Sequence, residues 1–558
     1  MGQSPSLVTS EAVAEAPPPP SLHTVPPRLA ARPAVGGYGP SLAERIVCQV
    51  LTTDMGLSLR GAIGQQLGAS GDDPEDALSS NAITAWPPKS LAVKLVDLFF
   101  EYHIAFYPIY NQDEVAKDMD ELYGVTHPGV PTPSTFTVPD YRIFRLFLIL
   151  ALGCNLLETE RGTPRTDTAT SLCRYALEHF PAVFRVSDLA CIAGLVTFTQ
   201  YCILDFGRTS PYHVVGVVAR FAMELGLHRD DSSLPLAEQD ARRRVFYTVY
   251  NLDRVVAVSL TKQVTIPDSV ITAQLPTACA TRLQSYLDPA EWFAHAMAMR
   301  RLSGIILDEV YLAPRLGDLE ERELTLARIH NLVDDWYDGI PRDAAGECVP
   351  LFELYYNVLL TNLHRPSPLC TSTQALRMVS LRRTAYRTIE LYRAVRAQRG
   401  LAENYVHLAN IVTVAVTVVY TLLEADGNPR NLALRAWRRE AFAQVDVCEQ
   451  LLANFCINWP GVSRFCSAFN VLANEVRGKL GGQPAPPPAV WPLVAPQQTQ
   501  VSGFSDTGTS PQFSDQGQWD AWAAPALLTE ADMQMALSGI GVDALLASVG
   551  LNVFAEVE

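Results

Sequence analysis

Three carboxylates in the stretch "VDDWYDGIP", Asp334, Asp335 and Asp338, are the side chains best spaced to do chemistry. On a helix, an Asp-Asp-x-x-Asp array puts Asp334 and Asp338 on one face with Asp335 beside them. Oxygen ligands so arranged can hold Mg²⁺ against a substrate diphosphate, the chemistry of an all-α metal-dependent cyclase. That chemistry needs a second metal motif on a facing helix, Asn/Asp-Asp-x-x-Ser/Thr-x-x-x-Glu, and nothing after residue 338 matches it. The array stands just before the breaker Gly339-Ile340-Pro341, where acids belong on a wet helix face. The solvated reading is preferred, and the metal-dependent enzyme is kept as an alternative.

The other motifs carry less. Gly539-Ile540-Gly541-Val542-Asp543-Ala544 has dinucleotide-fingerprint lettering, but no strand precedes it and no βαβ unit surrounds it. Cys448, Cys456 and Cys466 with His407 fit no short chelating loop, so buried thiols are expected rather than zinc. Asp426-Gly427-Asn428 reads as a turn. Arg242-Arg243-Arg244 would suit nucleic acid, yet Glu238 and Asp240 precede Arg242 and Arg244 by four residues, the favourable order for helix ion pairs. A structural helix start is expected there. No catalytic residue, metal site or cofactor is assigned.

The elements that would position these residues are helices. Apolar residues recur with helical period from about residue 87 to 480, as in Val214, Val218, Phe221 and Leu225, or Val245, Val249, Leu252 and Val256. Further helices are expected at about 286–312, 318–338, 351–363, 373–398, 404–424, 431–453 and 462–477. The apolar run Ile411–Leu423 has 13 residues, short of the roughly 20 that span a bilayer, and is expected to be a core helix, with no membrane partner. The expected fold is all-α: a single large helical domain, 87–480, between a Pro-rich flexible leader, 1–86, and an acidic, aromatic, disordered tail, 481–558. Nine of the 39 prolines fall in residues 1–40, which favours extended backbone in the leader. The net charge is −16, and half of it lies in the tail, which has eight acids and no Lys or Arg. Eleven scattered cysteines without a C-x-x-C pair point to a reducing compartment. Met1-Gly2 formally fits an acylation site, but no second anchor accompanies it.

One long segment, "EQDARRRVFYTVYNLDRVVAVSLTKQVTIPDSVITAQLP", resembles the hallmark of the fungal-specific transcription factor domain, the middle homology region of binuclear zinc-cluster regulators. Gly226-Leu227-His228-Arg229, Arg242, Arg243, Arg244, Phe246, Tyr247, Tyr250, Asp253, Arg254, Ile266-Pro267-Asp268 and Leu275-Pro276 carry the likeness. "LFLILALGC" upstream and "YYNVLLTNLHRPSP", ending in Arg365-Pro366, extend it from about 141 to 370. The resemblance also implies that Trp336 and Ile340 pack inward while the aspartates face water. Two departures stand out. Thr261-Lys262-Gln263 replaces the family's Gly-Arg-Pro turn, and the six-cysteine zinc cluster has no counterpart, since Cys48 alone precedes Cys154.

The resemblance implies a nuclear transcription regulator and no enzyme, contacting DNA only indirectly through a DNA-binding partner, with homo- or heterodimerisation left open. A zinc-cluster factor truncated at its N-terminus is the other alternative, beside an enzyme of the terpene-synthase type. The tail supports a regulator on its own composition. Phe504, Phe513, Trp519, Trp522 and Leu527 alternate with Asp506, Asp515, Asp520, Glu530 and Asp532, a pattern suited to transcription coactivators.

Overall fold

The computed structural model describes residues 86–103, 106–125, 140–161, 167–180, 188–205, 210–277, 287–314, 316–343, 349–370, 375–399, 404–423, 432–458 and 463–480. Among these, every regular element is helical. In chain order they are α1 (Lys89–His103), α2 (Gln112–Val125), α3 (Asp140–Arg161), α4 (Asp167–Glu178), α5 (Asp188–Leu204), α6 (Pro211–Glu224) and α7 (Leu236–Leu260). After a 3-10 turn, Asp268–Val270, come α8 (Pro289–Ile306), α9 (Leu319–Asp338), α10 (Pro350–His364), α11 (Ala375–Arg399), α12 (Tyr405–Leu423), α13 (Leu432–Asn458) and α14 (Ser463–Leu480). The all-α class read from periodicity is the fold. The leader, the tail residues Phe513, Trp519, Trp522 and Leu527, and 539–544 lie outside the described residues.

Helices adjacent in sequence pack on one another, and two cores result. One gathers α1 to α7 with α11 to α14. The other is built on α8 to α10. Helix α7 serves both: Phe246, Val249, Leu252 and Val256 face the first core, while Tyr250 and Ala257 face the second. Helix α10 is shared in the same way, through Leu354 and Val358 on one side and Phe352, Tyr355 and Leu360 on the other. The expected core segment 146–154 is the middle of α3. There Gly153 lets α1 approach so closely that a Cβ would stand 2.2 Å from the Leu95 carbonyl oxygen.

Helix α12 is long and apolar enough to cross a membrane by composition, yet 89% of that stretch is buried within the protein. Its hydroxyls explain how. Thr413, Thr417 and Thr421 donate to the carbonyls of Ala409, Thr413 and Val418 at 2.7–2.8 Å, so no side-chain donor is stranded. The helix is the centre of a core.

Two helix ends near the motif have the same backbone form. At the end of α6, Gly226 has φ of 68°, Leu227 N–H bonds the Ala222 carbonyl and Gly226 N–H bonds that of Met223. At the end of α7, Thr261 has φ of 52°, with Lys262 N–H on Ala257 and Thr261 N–H on Val258. Glycine suits this left-handed position; threonine, branched at Cβ, is strained there. Past its last turn α8 widens into a π-helix, Leu307–Leu312, where Ala313 N–H reaches back to Asp308.

Candidate functional site

The place of Asp253 and Arg254 after three turns of apolar stripe predicts that they hold α7 to its neighbours, one or both through a partly buried ion pair. Arg242 and Arg244 are expected to pair along their own helix. The Arg244 pair forms, with Asp240 at 2.6 Å, and Arg254 makes its ion pair with Asp268 at 3.0 Å. The other motif side chains reach a strap, residues 262–277, which leaves the end of α7 and returns along its side.

One face of α7 holds the strap along its length. Asp253 accepts from Thr265 N–H at 2.9 Å and Ile266 N–H at 3.0 Å. Arg254 donates to the Ile266 carbonyl and to Asp268 Oδ1, both at 3.0 Å. Tyr250 donates to the same Asp268 oxygen at 2.8 Å, and its ring lies 3.4 Å below the Arg254 guanidinium. One turn earlier Tyr247 donates to the Ala273 carbonyl at 2.7 Å. Asp240 then accepts from Thr277 N–H at 2.7 Å. The spacing 240, 247, 250, 253/254 is the spacing of one helix face.

Burial makes these bonds strong. Asp253 is fully buried and Arg254 is 1% exposed. Burial pushes the Asp253 carboxyl above its usual range, and the two strap amides pull it back. Asp253 and Arg254 do not form a close pair with each other, their nearest atoms being 3.7 Å apart; the arginine's closer partner is Asp268. Arg254 also packs beside α8, where a Cβ at Gly304 would stand 3.6 Å from its Nε, an ordinary contact. Pro267 is exposed and starts the 3-10 turn that presents Asp268.

The triple arginine is structural throughout, although not as expected. Arg242 donates to the Leu225 carbonyl at the end of α6, at 3.0 Å, instead of pairing with Glu238, which is exposed. A helix C-terminus leaves carbonyls without partners, and the Arg242 guanidinium supplies the donor that one of them lacks. Arg243 binds Asp230 at 2.7 Å, and Asp230 in turn accepts from Gln274 N–H of the strap at 3.1 Å. The Gly226–Arg229 turn is tied to the strap again where the His228 carbonyl accepts from Thr272 and Ala273.

Arg365 closes α10 well away from the strap's fixing points. It is buried, its guanidinium lies 4.8 Å from the Tyr311 ring, and Pro366 beside it is half-buried. With Thr261, Ser303, Leu307, Asn362 and Asn410 it lines a cleft where α7, α8, α10 and α12 meet, of about 30 Å³. That is space for one or two waters.

The aspartate array divides. Asp335 and Asp338 are exposed, as expected, while Trp336 and Ile340 are buried, with Trp336 Nε1 donating to the His295 carbonyl at 3.1 Å. Asp334 departs from the fully wet reading: Oδ1 accepts from Tyr356 OH at 2.9 Å, and Oδ2 lies 3.5 Å from His330 Nε2. His330 meets His364 at 2.8 Å. Cys456 and Cys466 both donate to the Leu452 carbonyl, Cys448 is fully buried, and His407 faces Tyr392. Among the described residues no three His, Cys, Asp or Glu side chains gather as metal ligands would.

Residues 96–323, which contain α7 and its strap, match the fungal specific transcription factor domain. The match takes in about two-fifths of the chain, and the curated proteins it resembles are fungal regulators by name. The match starts earlier than the expected 141 and stops before Arg365-Pro366. Among curated relatives, the chain is similar to the negative regulator of pleiotropic drug resistance STB5 of Candida glabrata, 27% identical over 269 residues, 45% of this chain and 26% of that protein. It is 20% identical over 429 residues to Protein STB5 of Saccharomyces cerevisiae, covering 70% of this chain and 54% of the relative. The acetamidase regulatory protein of Aspergillus fumigatus is 27% identical over 308 residues, 52% of this chain and 37% of its own. The chain thus spans about half or less of the length of these relatives.

Proposed function

We propose that this chain regulates transcription in the nucleus. Its helical domain receives a signal or a partner, and residues 481–558 contact coactivators. The observation that carries the reading is the tail's composition, eight acids and no basic residue around five large apolar side chains, joined to a domain found in regulators. Acids keep such side chains in water until a coactivator groove accepts them, and they speed the encounter. Tethered to an unrelated DNA-binding domain, the full chain should activate a reporter. Replacing Phe513, Trp519, Trp522 and Leu527 by Ala should abolish activation, because aromatic anchors dominate such contacts. An unaltered reporter signal in that variant would sink the activator reading.

Within residues 1–558 the cysteines do not form a six-cysteine cluster, so these residues reach DNA through a partner, a regulator with which the chain pairs as a heterodimer or beside a second copy of itself. The purified chain should then give no sequence-specific complex with duplex DNA. A salt-sensitive complex tighter than about 10⁻⁸ M, the usual scale of specific sites, would overturn this. Reading the genomic DNA upstream of the Met1 codon for the cluster distinguishes a partner-dependent chain from a segment of a longer DNA-binding one.

A further inference from the structure

Eight cysteines fall among the described residues, and six of them are buried. The two that are half-buried, Cys456 and Cys466, stand together. Cys456 is in the last turn of α13 and Cys466 in the first turn of α14. Both sulfurs point at one oxygen: the Leu452 carbonyl accepts from Cys456 at 3.6 Å and from Cys466 at 3.4 Å. The Cys466 thiol also hydrogen-bonds Cys456 directly. That bond, with burial, holds the Cys466 thiol well above its usual range, so it keeps its proton.

A second pair shows what separates these thiols from the rest. Cys202 lies near enough to Cys173 for their charges to interact, yet both are enclosed, and burial raises the Cys202 thiol well above its ordinary range. Thiols so buried are inert. Cys456 and Cys466 combine mutual contact with access from water. An ordinary thiol is a few per cent ionised at neutral pH, and the thiolate is the form that attacks. An S–H donor beside it favours that thiolate.

We propose that Cys456 and Cys466 form a redox site, which a hydroperoxide converts from two thiols into a disulfide joining α13 to α14. The Cys456 thiolate attacks one peroxide oxygen, the O–O bond breaks, and the departing oxygen takes a proton and leaves as water or an alcohol. Cys456 is then a sulfenic acid. The Cys466 sulfur attacks the Cys456 sulfur: the S–S bond forms, the S–O bond breaks, and the hydroxyl leaves with the Cys466 proton as water. The two thiols give up two electrons, and the peroxide accepts them. The proton that Cys466 retains is the one its leaving group needs. A thiol reductant returns the pair to two thiols. Helix α14 runs to Leu480, just before the acidic tail in sequence, so the link would tie down the helix that precedes the tail.

The test oxidises the reduced, purified full chain with a small excess of hydrogen peroxide, then digests it with trypsin without reductant. Cleavage after Arg464 separates the two cysteines, so the disulfide should appear as residues 440–464 linked to 465–477. The linked species should be two hydrogens lighter than its separate peptides and should be released by dithiothreitol. Fragmentation assigns the linked sulfur, since Cys448 shares the first peptide. Cys173 and Cys202 should stay thiols. Cys466→Ser should abolish the link and leave Cys456 as a sulfenic acid that dimedone traps; Cys456→Ser should abolish it and leave Cys466 unlabelled. The link in the unaltered chain can be read even if neither variant folds. No linked peptide, a link through Cys448, or dimedone on Cys466 in Cys456→Ser would overturn the proposal. So would oxidation confined to Cys48, Cys279 or Cys348, which lie outside the described residues. The reporter assay on the tail does not depend on any of these outcomes.

Discussion

Replacing Asp253 by Ala removes both oxygens that hold the strap where it leaves α7. Two amides, of Thr265 and Ile266, lose their acceptor, and Ile266 is fully buried, so water replaces that bond poorly. Hydrogen bonds to a charged acceptor contribute about 1.5–3 kcal/mol each, and stranding buried polar groups costs more than the bond alone. Arg254 also loses the more distant of its two anionic neighbours, 3.7 Å away, while staying buried. Together these give a loss of about 4 kcal/mol. With about 2.1 cal/mol/K of unfolding entropy per residue over a unit of roughly 400 residues, the melting temperature should fall by about 5 °C. Glu238→Ala, at an exposed side chain one face away, should leave it within about 1 °C. Hydrogen exchange localises the effect: the amides of 265 and 266 should lose protection in Asp253→Ala while those of α3 keep theirs. Equal melting curves for the two variants, or undiminished protection at 265 and 266, would refute the assignment of the strap to Asp253.

Three further outcomes follow from the geometry. Trp336→Ala should destabilise by about 3–5 kcal/mol, a large core truncation, against about 0.5 kcal/mol or less for Asp335→Ala; urea unfolding that reverses this order would revive a metal role for the array. Thr261→Gly should stabilise by about 1 kcal/mol, since glycine adopts the left-handed cap without strain, and a loss of stability would mean that the threonine side chain holds the turn. His103, buried with neither ring nitrogen bonded, has its pKa lowered to about 4 by burial. The folded value lies below the unfolded one, so its contribution is complete above pH 6.5 and is lost as pH falls towards 4, by about 3 kcal/mol. His103→Phe keeps the stack on Phe99, 5.2 Å away, and should flatten urea-measured stability between pH 7 and 4 by about that amount.

The helices were legible because burial enforces the apolar period: the expected 318–338 differs from α9 by one residue at its start, and 404–424 from α12 by one at each end. Tyr247, Tyr250, Asp253 and Arg254 were legible through the family motif they carry, and Asp240 as the helix partner of Arg244, but their common partner was not. The partner is mostly backbone, and backbone donors leave no mark in a sequence. The expected Arg242–Glu238 pair failed for a related reason: the competing acceptor is a carbonyl at the end of α6.

The strap's path is written almost entirely in another segment. Helix α7 grips it by the amides of Thr265, Ile266 and Thr277 and the carbonyls of Ile266 and Ala273, and Asp268 is the main strap side chain that answers. Lys262, Gln263, Ser269 and Thr272 can therefore be exchanged without rerouting the chain, as Thr261-Lys262-Gln263 in place of Gly-Arg-Pro already illustrates. The outward edge of this loop is a display whose lettering is free to drift while its frame stays fixed, which suits regulators that share one scaffold and must be told apart by their partners.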